Sequence, residues 1–210
     1  MDEIIEPLRS LDWEDIGAVQ RQAGAALAQI AGRPDILAAA LRQIPARPEL
    51  LRLCEHQERY SVDKLILYSD AESGIRVRLH VFLPGHADLP HNHRWTFATS
   101  ILRGGYRHLV YGDAPKGVMP PIVHARHEGP GDGYVLHHSV VHAVAAEPNT
   151  VSLVIRGPAV KDRSLVFDRQ KSWWHYSATQ DSAEDSARKE LTPARLRELT
   201  GLLEDWGLSA

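Results

Sequence analysis

A mainly β domain, a sandwich or barrel with α-helices at both ends, is what this sequence predicts, on three observations. Hydrophobic alternation has period two from about residue 59 to residue 168, in short runs separated by turn residues. The residues before and after that span follow helical spacing instead. Of twelve histidines, nine fall between residues 80 and 138, so the strand region also carries the polar chemistry. Residues 1–58 read as a helical extension packed on the barrel, 59–170 as the barrel and 171–210 as a C-terminal helical segment, all in one structural domain.

The helices come first. Asp12 caps "WEDIGAVQRQAGAALAQIA", in which Ile16, Val19, Ala23, Leu27 and Ile30 share one face, and Gly32 stops it. Pro34 and Pro48 sit at first helical positions and open "DILAAALRQI" and "ELLRLCEH". Strands follow in "RYSVDKLILYSD" and "GIRVRLHVFLPG". The second places Arg76, Arg78, His80 and Phe82 on one face and Val77, Leu79 and Val81 on the other. Further strands are expected at 94–103, 105–112, 121–128, 133–136, 140–146, 151–157 and 164–167, with turns at "RGG", "GDAPKG", "EGPGDG" and "EPNT". "SWWHY" at 172–176 is expected to pack on the N-terminal helices, with a lid formed by Trp173 and Trp174 as the alternative, and "SATQDSAEDSARKE" reads as a polar connection. In the tail Thr192 caps and Pro193 opens a helix with Leu196, Leu199, Leu203 and Trp206 on one side, ending at Gly207.

Composition narrows the function. A hydrophobic content of 43% with 24% charged residues is that of a globular protein, and a net charge of −3 gives no electrostatic case for nucleic acid or an anionic membrane. Cys54 is the single cysteine, so no internal disulfide forms. "MDEIIEPLRSLDWED" lacks the basic start and apolar run of a signal peptide, and a cytoplasmic location is the expectation. No phosphate-binding glycine loop or Ser-His-Asp arrangement is present, which leaves the histidines.

In a strand, residues i and i+2 face the same way, so His91 and His93 in "LPHNHRWTF" can reach one ion. An isolated pair of this kind is equally a polar loop mouth, and spacing decides. Gly85 lies six residues before His91 and Gly104 eleven after His93. This resembles the first motif of the cupin family, glycine, five residues, HxH, three residues, glutamate, six residues, glycine. "HHSVVHAV" at 137–144 falls where the second cupin motif belongs, and the resemblance makes His142 the third ligand. His137 takes that motif's proline position and Ser139 its glycine position, so this half is degenerate. The implied fold is a cupin barrel, or jelly roll. Phe97 stands at the glutamate position, leaving a neutral three-histidine set unless His137 fills in.

Within the family, three histidines without a carboxylate are similar to the thiol dioxygenases, which hold Fe(II). "EPNTVSLVIRGP" is similar to the cysteine dioxygenase segment with a Ser-x-His-x-Tyr series, here Ser152, Val154 and Arg156. The carboxylate-binding arginine expected after "RY" at 59–60 is Val62, and no cysteine adjoins Phe97 or Ala98, so cysteine dioxygenase itself is not implied. Arg156 shares strand parity with Ser152, lies 14 residues after His142 and is one candidate substrate anchor; Arg76 and Arg78 are the others. The alternative for Arg156 is an exposed salt bridge at a strand end. Phe97 and Tyr106 are expected to line the cavity, and Ser152 to face the substrate.

The expectation is therefore an Fe(II) oxygenase using O2 on a small anionic metabolite, with His91, His93 and His142 as metal ligands. Zinc, nickel, manganese or copper also suit three imidazoles. A non-oxidative isomerase, hydratase or lyase would need an acid or base, for which Tyr60, Tyr106, His137 and His138 are available. A small-ligand-binding cupin without catalysis is the third reading, and a homodimer is implied by resemblance alone.

Overall fold

The computed structural model describes residues 1–114, 118–168, 173–177 and 189–209, with Arg59 described by its backbone alone. Residues 178–188 of the polar connection, the last three residues of "GDAPKG" and Ser172 of "SWWHY" lie outside the described residues.

Helix α1 (Asp2–Ile5) and a 3-10 turn lead to α2 (Ile16–Ala31). Its N-cap is Asp15, whose carboxylate accepts from the Ala18 N–H at 2.9 Å, three residues later than the expected Asp12. Asp12 instead accepts from the Glu14 N–H. Ile16 is thereby left 37% exposed at the first turn, while Val19, Ala23, Leu27 and Ile30 are buried as their spacing requires. Pro34 opens α3 (Pro34–Gln43) and Pro48 opens α4 (Pro48–Leu51). The helix expected to run on to residue 56 ends after this one turn. Glu55–Gln57 is strand β1, paired with β2 (Val62–Ser69), and the Cys54 thiol accepts from the Ile66 N–H. A single turn has little cooperative hold, so the open backbone edge of β2 wins those residues.

The strands then follow as β3 (Arg76–Phe82), β4 (Phe97–Arg103), β5 (Tyr106–Tyr111), β6 (Ile122–Glu128), β7 (Gly133–Leu136), β8 (Val141–Ala146), β9 (Thr150–Arg156), β10 (Leu165–Asp168) and β11 (Trp173–Tyr176). Among the described residues they form a six-stranded sheet in the order β1-β2-β3-β9-β4-β7, a three-stranded sheet β6-β5-β8 and the pair β10-β11. Every one of these pairings is antiparallel.

Alternation assigns the faces. Val77, Leu79 and Val81 of β3 and Val151, Leu153 and Ile155 of β9 pack with Val19, Leu27, Ile30 and Leu41 of the helices. Each such burial contributes about 1.5–3 kcal/mol, which fixes the strand register through the side chains it buries. The opposite face turns inward, where Val62, Phe82 and Ile101 meet Tyr106 and Val144 of the smaller sheet. The two sheets thus enclose an interior between them, and the helices cover the outside of the larger one. Trp13 seals one end by lying over Gly157, where no Cβ would fit.

"SWWHY" behaves differently from its expectation. Trp173–Tyr176 pairs with β10, and Trp174 meets Phe167 edge-on at 5.0 Å, so the aromatics extend a hairpin rather than pack on the N-terminal helices. The C-terminal helix α5 (Pro193–Asp205) is capped by the Thr192 hydroxyl, which accepts from the Arg195 N–H, and buries Leu196, Leu199 and Leu203. No helix among the described residues is long and apolar enough to cross a membrane.

Candidate metal centre

His91, His93 and His142 converge, with one ring nitrogen from each lying within 4.8 Å of the others. The first two reach this point from a connection rather than from the expected strand. Gly85 turns the chain at φ +87°, and Pro90 has no N–H to give a ladder. What remains is an isolated bridge in which the His91 and His142 backbones exchange hydrogen bonds of 2.9 and 2.8 Å. Asn92, between the two histidines, turns the other way and binds Leu165 of β10 through both its backbone and its side chain. The i, i+2 rule therefore holds locally without a regular strand. The Leu89 carbonyl accepts from His91 Nδ1 at 2.8 Å, leaving Nε2 free.

The Nε2 atoms of His93 and His142 are 2.8 Å apart. Ion–nitrogen bonds of about 2.1 Å place two ligand atoms roughly 3 to 4 Å apart, so this group closes on one ion with a small adjustment. Its protonation also fits. Burial, then the neighbouring His91, holds His93 well below the ordinary histidine range, and burial with His91 and His93 does the same to His142. Neutral imidazoles are the ligand form.

A supporting chain lies behind His142. Its Nδ1 is 3.1 Å from Nε2 of His108, whose Nδ1 is 3.3 Å from the Glu128 carboxylate, which also takes Arg126 at 2.6 Å. Glu128 accepts only, so His108 donates to it from Nδ1 and accepts from His142 at Nε2. That leaves the lone pair of His142 Nε2 facing the other two histidines. His108 and Glu128 are missed by sequence reasoning. Their one signal is that His108 belongs to the histidine-rich span, and its pairing to Glu128 needs the β5–β6 register.

Phe97 forms the wall where a carboxylate would stand, its ring 4.9 Å from that of His93 and 6.1 Å from that of His142. Tyr106 is buried, with its hydroxyl 2.9 Å from that of Tyr134, and the Tyr134 ring stacks on His108 at 4.4 Å. Burial raises both phenols above their ordinary range, so both keep their protons. Ser152 is buried on β9 opposite His80, on the face that also carries Arg156. Arg156 is 6% exposed and donates to the Gly74 and Gly157 carbonyls, so the alternative of an exposed salt bridge does not hold. Its guanidinium lies 4.4 Å from the Trp95 ring centre, with that of Arg78 at 5.1 Å. Arg76 pairs across strands with Arg156.

Two expected site residues stand elsewhere. His137 is in the β7–β8 turn, bound through Nε2 to Glu14 at 3.0 Å and through Nδ1 to Ser139 at 2.7 Å. With the His138 ring tilted against it at 4.0 Å and also near Glu14, it forms a separate group at the surface, so it is neither a fourth ligand nor placed for acid–base work at the three histidines. Its motif position fixes the residue but not the direction of the side chain, which Glu14 captures. Tyr60 ends a 3-10 turn at 38% exposure, with its carbonyl facing His86 Nδ1 at 2.5 Å.

No protein-family model matches the chain, and no curated protein matches it. Solved structures similar to it include KdgF from a Halomonas species, at 19% identity and TM-score 0.40, over 51% of this chain and 88% of that one. An RmlC-like cupin from Shewanella frigidimarina is similar at 16% identity and TM-score 0.40, over 51% and 86%. The DMSP lyase DddQ from Ruegeria pomeroyi is similar at 16% identity and TM-score 0.41, over 53% and 55%. Neither activity nor ligand carries over to this chain at that distance.

Proposed function

We propose that the chain is a metal-dependent enzyme for a small anionic substrate, with Fe(II) as its ion and O2 as co-substrate. The observation that supports this most is the convergence of three imidazoles beside Phe97, with no carboxylate among the three side chains that converge. His91, His93 and His142 would hold the ion, and a redox-active ion with open positions supplies oxygen activation when bound. Around it this chain's residues bind and exclude. Arg78 and Arg156 present guanidinium groups to an anionic end, and Trp95, Phe97 and Tyr134 keep bulk water from the reacting atoms.

A second reading uses the same ion as a Lewis acid without oxygen. It is favoured by the Tyr106–Tyr134 hydroxyl pair, two buried donors that keep a proton available inside the barrel. Oxygen-electrode screens separate the two. Protein loaded anaerobically with Fe(II) is expected to consume O2 only when a small carboxylate or thiol acid is added, and zinc- or nickel-loaded protein to be inert. Turnover by the zinc or nickel form without oxygen would overturn the oxidative reading in favour of the second.

A further inference from the structure

The inner face of the six-stranded sheet carries more positive charge than the protein balances. By strand register Lys64, Arg76, Arg78 and Arg156 share that face. Among the described residues, its ion pairing reduces to Lys64 with Glu55 at 3.6 Å. Arg156 has two carbonyls as partners, and the buried Nε atoms of Arg78 and Arg156 have none. The face of Trp95 lies within 5.1 Å of both guanidinium carbons and offers the weak negative potential of a ring where a counter-ion is missing. Burial, with neighbouring arginines, pushes both Arg78 and Arg156 below their ordinary range, and Glu55 offsets this in part at Arg78.

A cavity of about 530 Å³, a metabolite's size, opens on this face. Arg52, Lys64, Arg76, Arg78 and Lys189 line it against two carboxylates, Glu55 and Glu190. Phe97 stands opposite Arg156 across β4 and β9, and its ring lies 4.9 Å from that of His93, so the cationic face and the histidine group share one interior. Buried cations without partners are costly to a fold, and a site keeps them where a ligand brings the opposite charge. One carboxylate would answer one of Arg76, Arg78 and Arg156 and leave the others.

We propose that the substrate is a small dianion, a dicarboxylate or a phosphomonoester, held between the Arg78–Trp95–Arg156 group and the cavity lined by Arg76 and Lys64. This deepens the proposed function and rests on the barrel interior being the substrate site. The anion preference itself does not require the ion.

The test is calorimetric titration of the full chain, as purified, with succinate, inorganic phosphate and butyrate, iron content being measured on the same samples. At least one dianion is expected to bind about tenfold or more tighter than butyrate, and Arg78→Gln to weaken it by a similar factor with iron content unchanged. Tighter phosphate would point to a phosphomonoester, tighter succinate to a dicarboxylate, and either supports the dianion. Arg78→Met is expected to raise Tm, because it removes an uncompensated buried charge, whereas a structural arginine would lower it on removal. Arg78→Lys keeps the charge and should retain the preference for dianions. Equal affinity for butyrate and both dianions, no binding of either dianion, or binding indifferent to Arg78→Gln would overturn the proposal. Loss of iron binding with dianion binding intact would instead count against the metal reading alone.

Discussion

Phe97→Glu is expected to make stability depend on a divalent ion. Phe97 is 6% exposed and lies against His93 and His142, so the substitution puts a carboxylate among three imidazoles and replaces a packed ring. Without an ion, the cost of an uncompensated buried charge is about 3–5 kcal/mol. For a chain of 210 residues, with about 2–4 °C of Tm per kcal/mol, the metal-free variant should melt roughly 6 to 20 °C below the parent. An ion at about 100 times its Kd returns about 2.7 kcal/mol to any protein that binds it. The variant should gain more than the parent, because its new carboxylate becomes a further ligand. Thermal melts with and without Fe(II), Mn(II) or Zn(II) read this directly. An equal metal-induced rise in both proteins would mean that no ion sits beside Phe97.

Glu128→Gln is expected to weaken metal binding about 10- to 100-fold while leaving the fold nearly intact. Glu128 touches no candidate ligand. It acts through His108, which it obliges to donate from Nδ1 and so to accept the Nδ1 proton of His142. An amide can donate as readily as it accepts, so the glutamine variant no longer holds His142 in the tautomer that presents its Nε2 lone pair. Glu128→Ala adds a structural cost of about 1–3 kcal/mol, because the buried His108 Nδ1 loses its acceptor. Arg126 is half exposed and finds water instead, which keeps that cost from being larger. Competition against a metallochromic indicator measures the affinity. Parental affinity in Glu128→Gln would show that the relay does not set the His142 tautomer.

The same contacts explain how far the sequence could be read. Pro34, Pro48 and Pro193 mark real helix starts because a missing N–H costs nothing there, and β3 sorts Arg76, Arg78 and His80 from Val77, Leu79 and Val81 by period two alone. The meeting of His91, His93 and His142 is legible too, since Gly85 and Gly104 sit at φ +87° and +68°, where the motif needs turns. What the sequence hides is set by partners far along the chain. Glu14 takes His137 from 123 residues away, and β1 exists because β2 has an edge to offer. The His142–His108–Glu128 relay crosses three strands, so it becomes visible only once the β5–β6 and β5–β8 registers are known. Asp12 and Asp15 are both good caps by residue type, and only the Ala18 N–H decides between them.

The central claim is a metal ion held by three histidines, and elemental analysis of protein purified without oxygen tests it most directly, with His93→Ala and His142→Ala prepared alongside. The prediction is about one iron per chain in the parent, lost in both variants, since two remaining imidazoles hold an ion weakly. A parent that stays metal-free after reconstitution with Fe(II), or variants that keep the parent's metal, would contradict it.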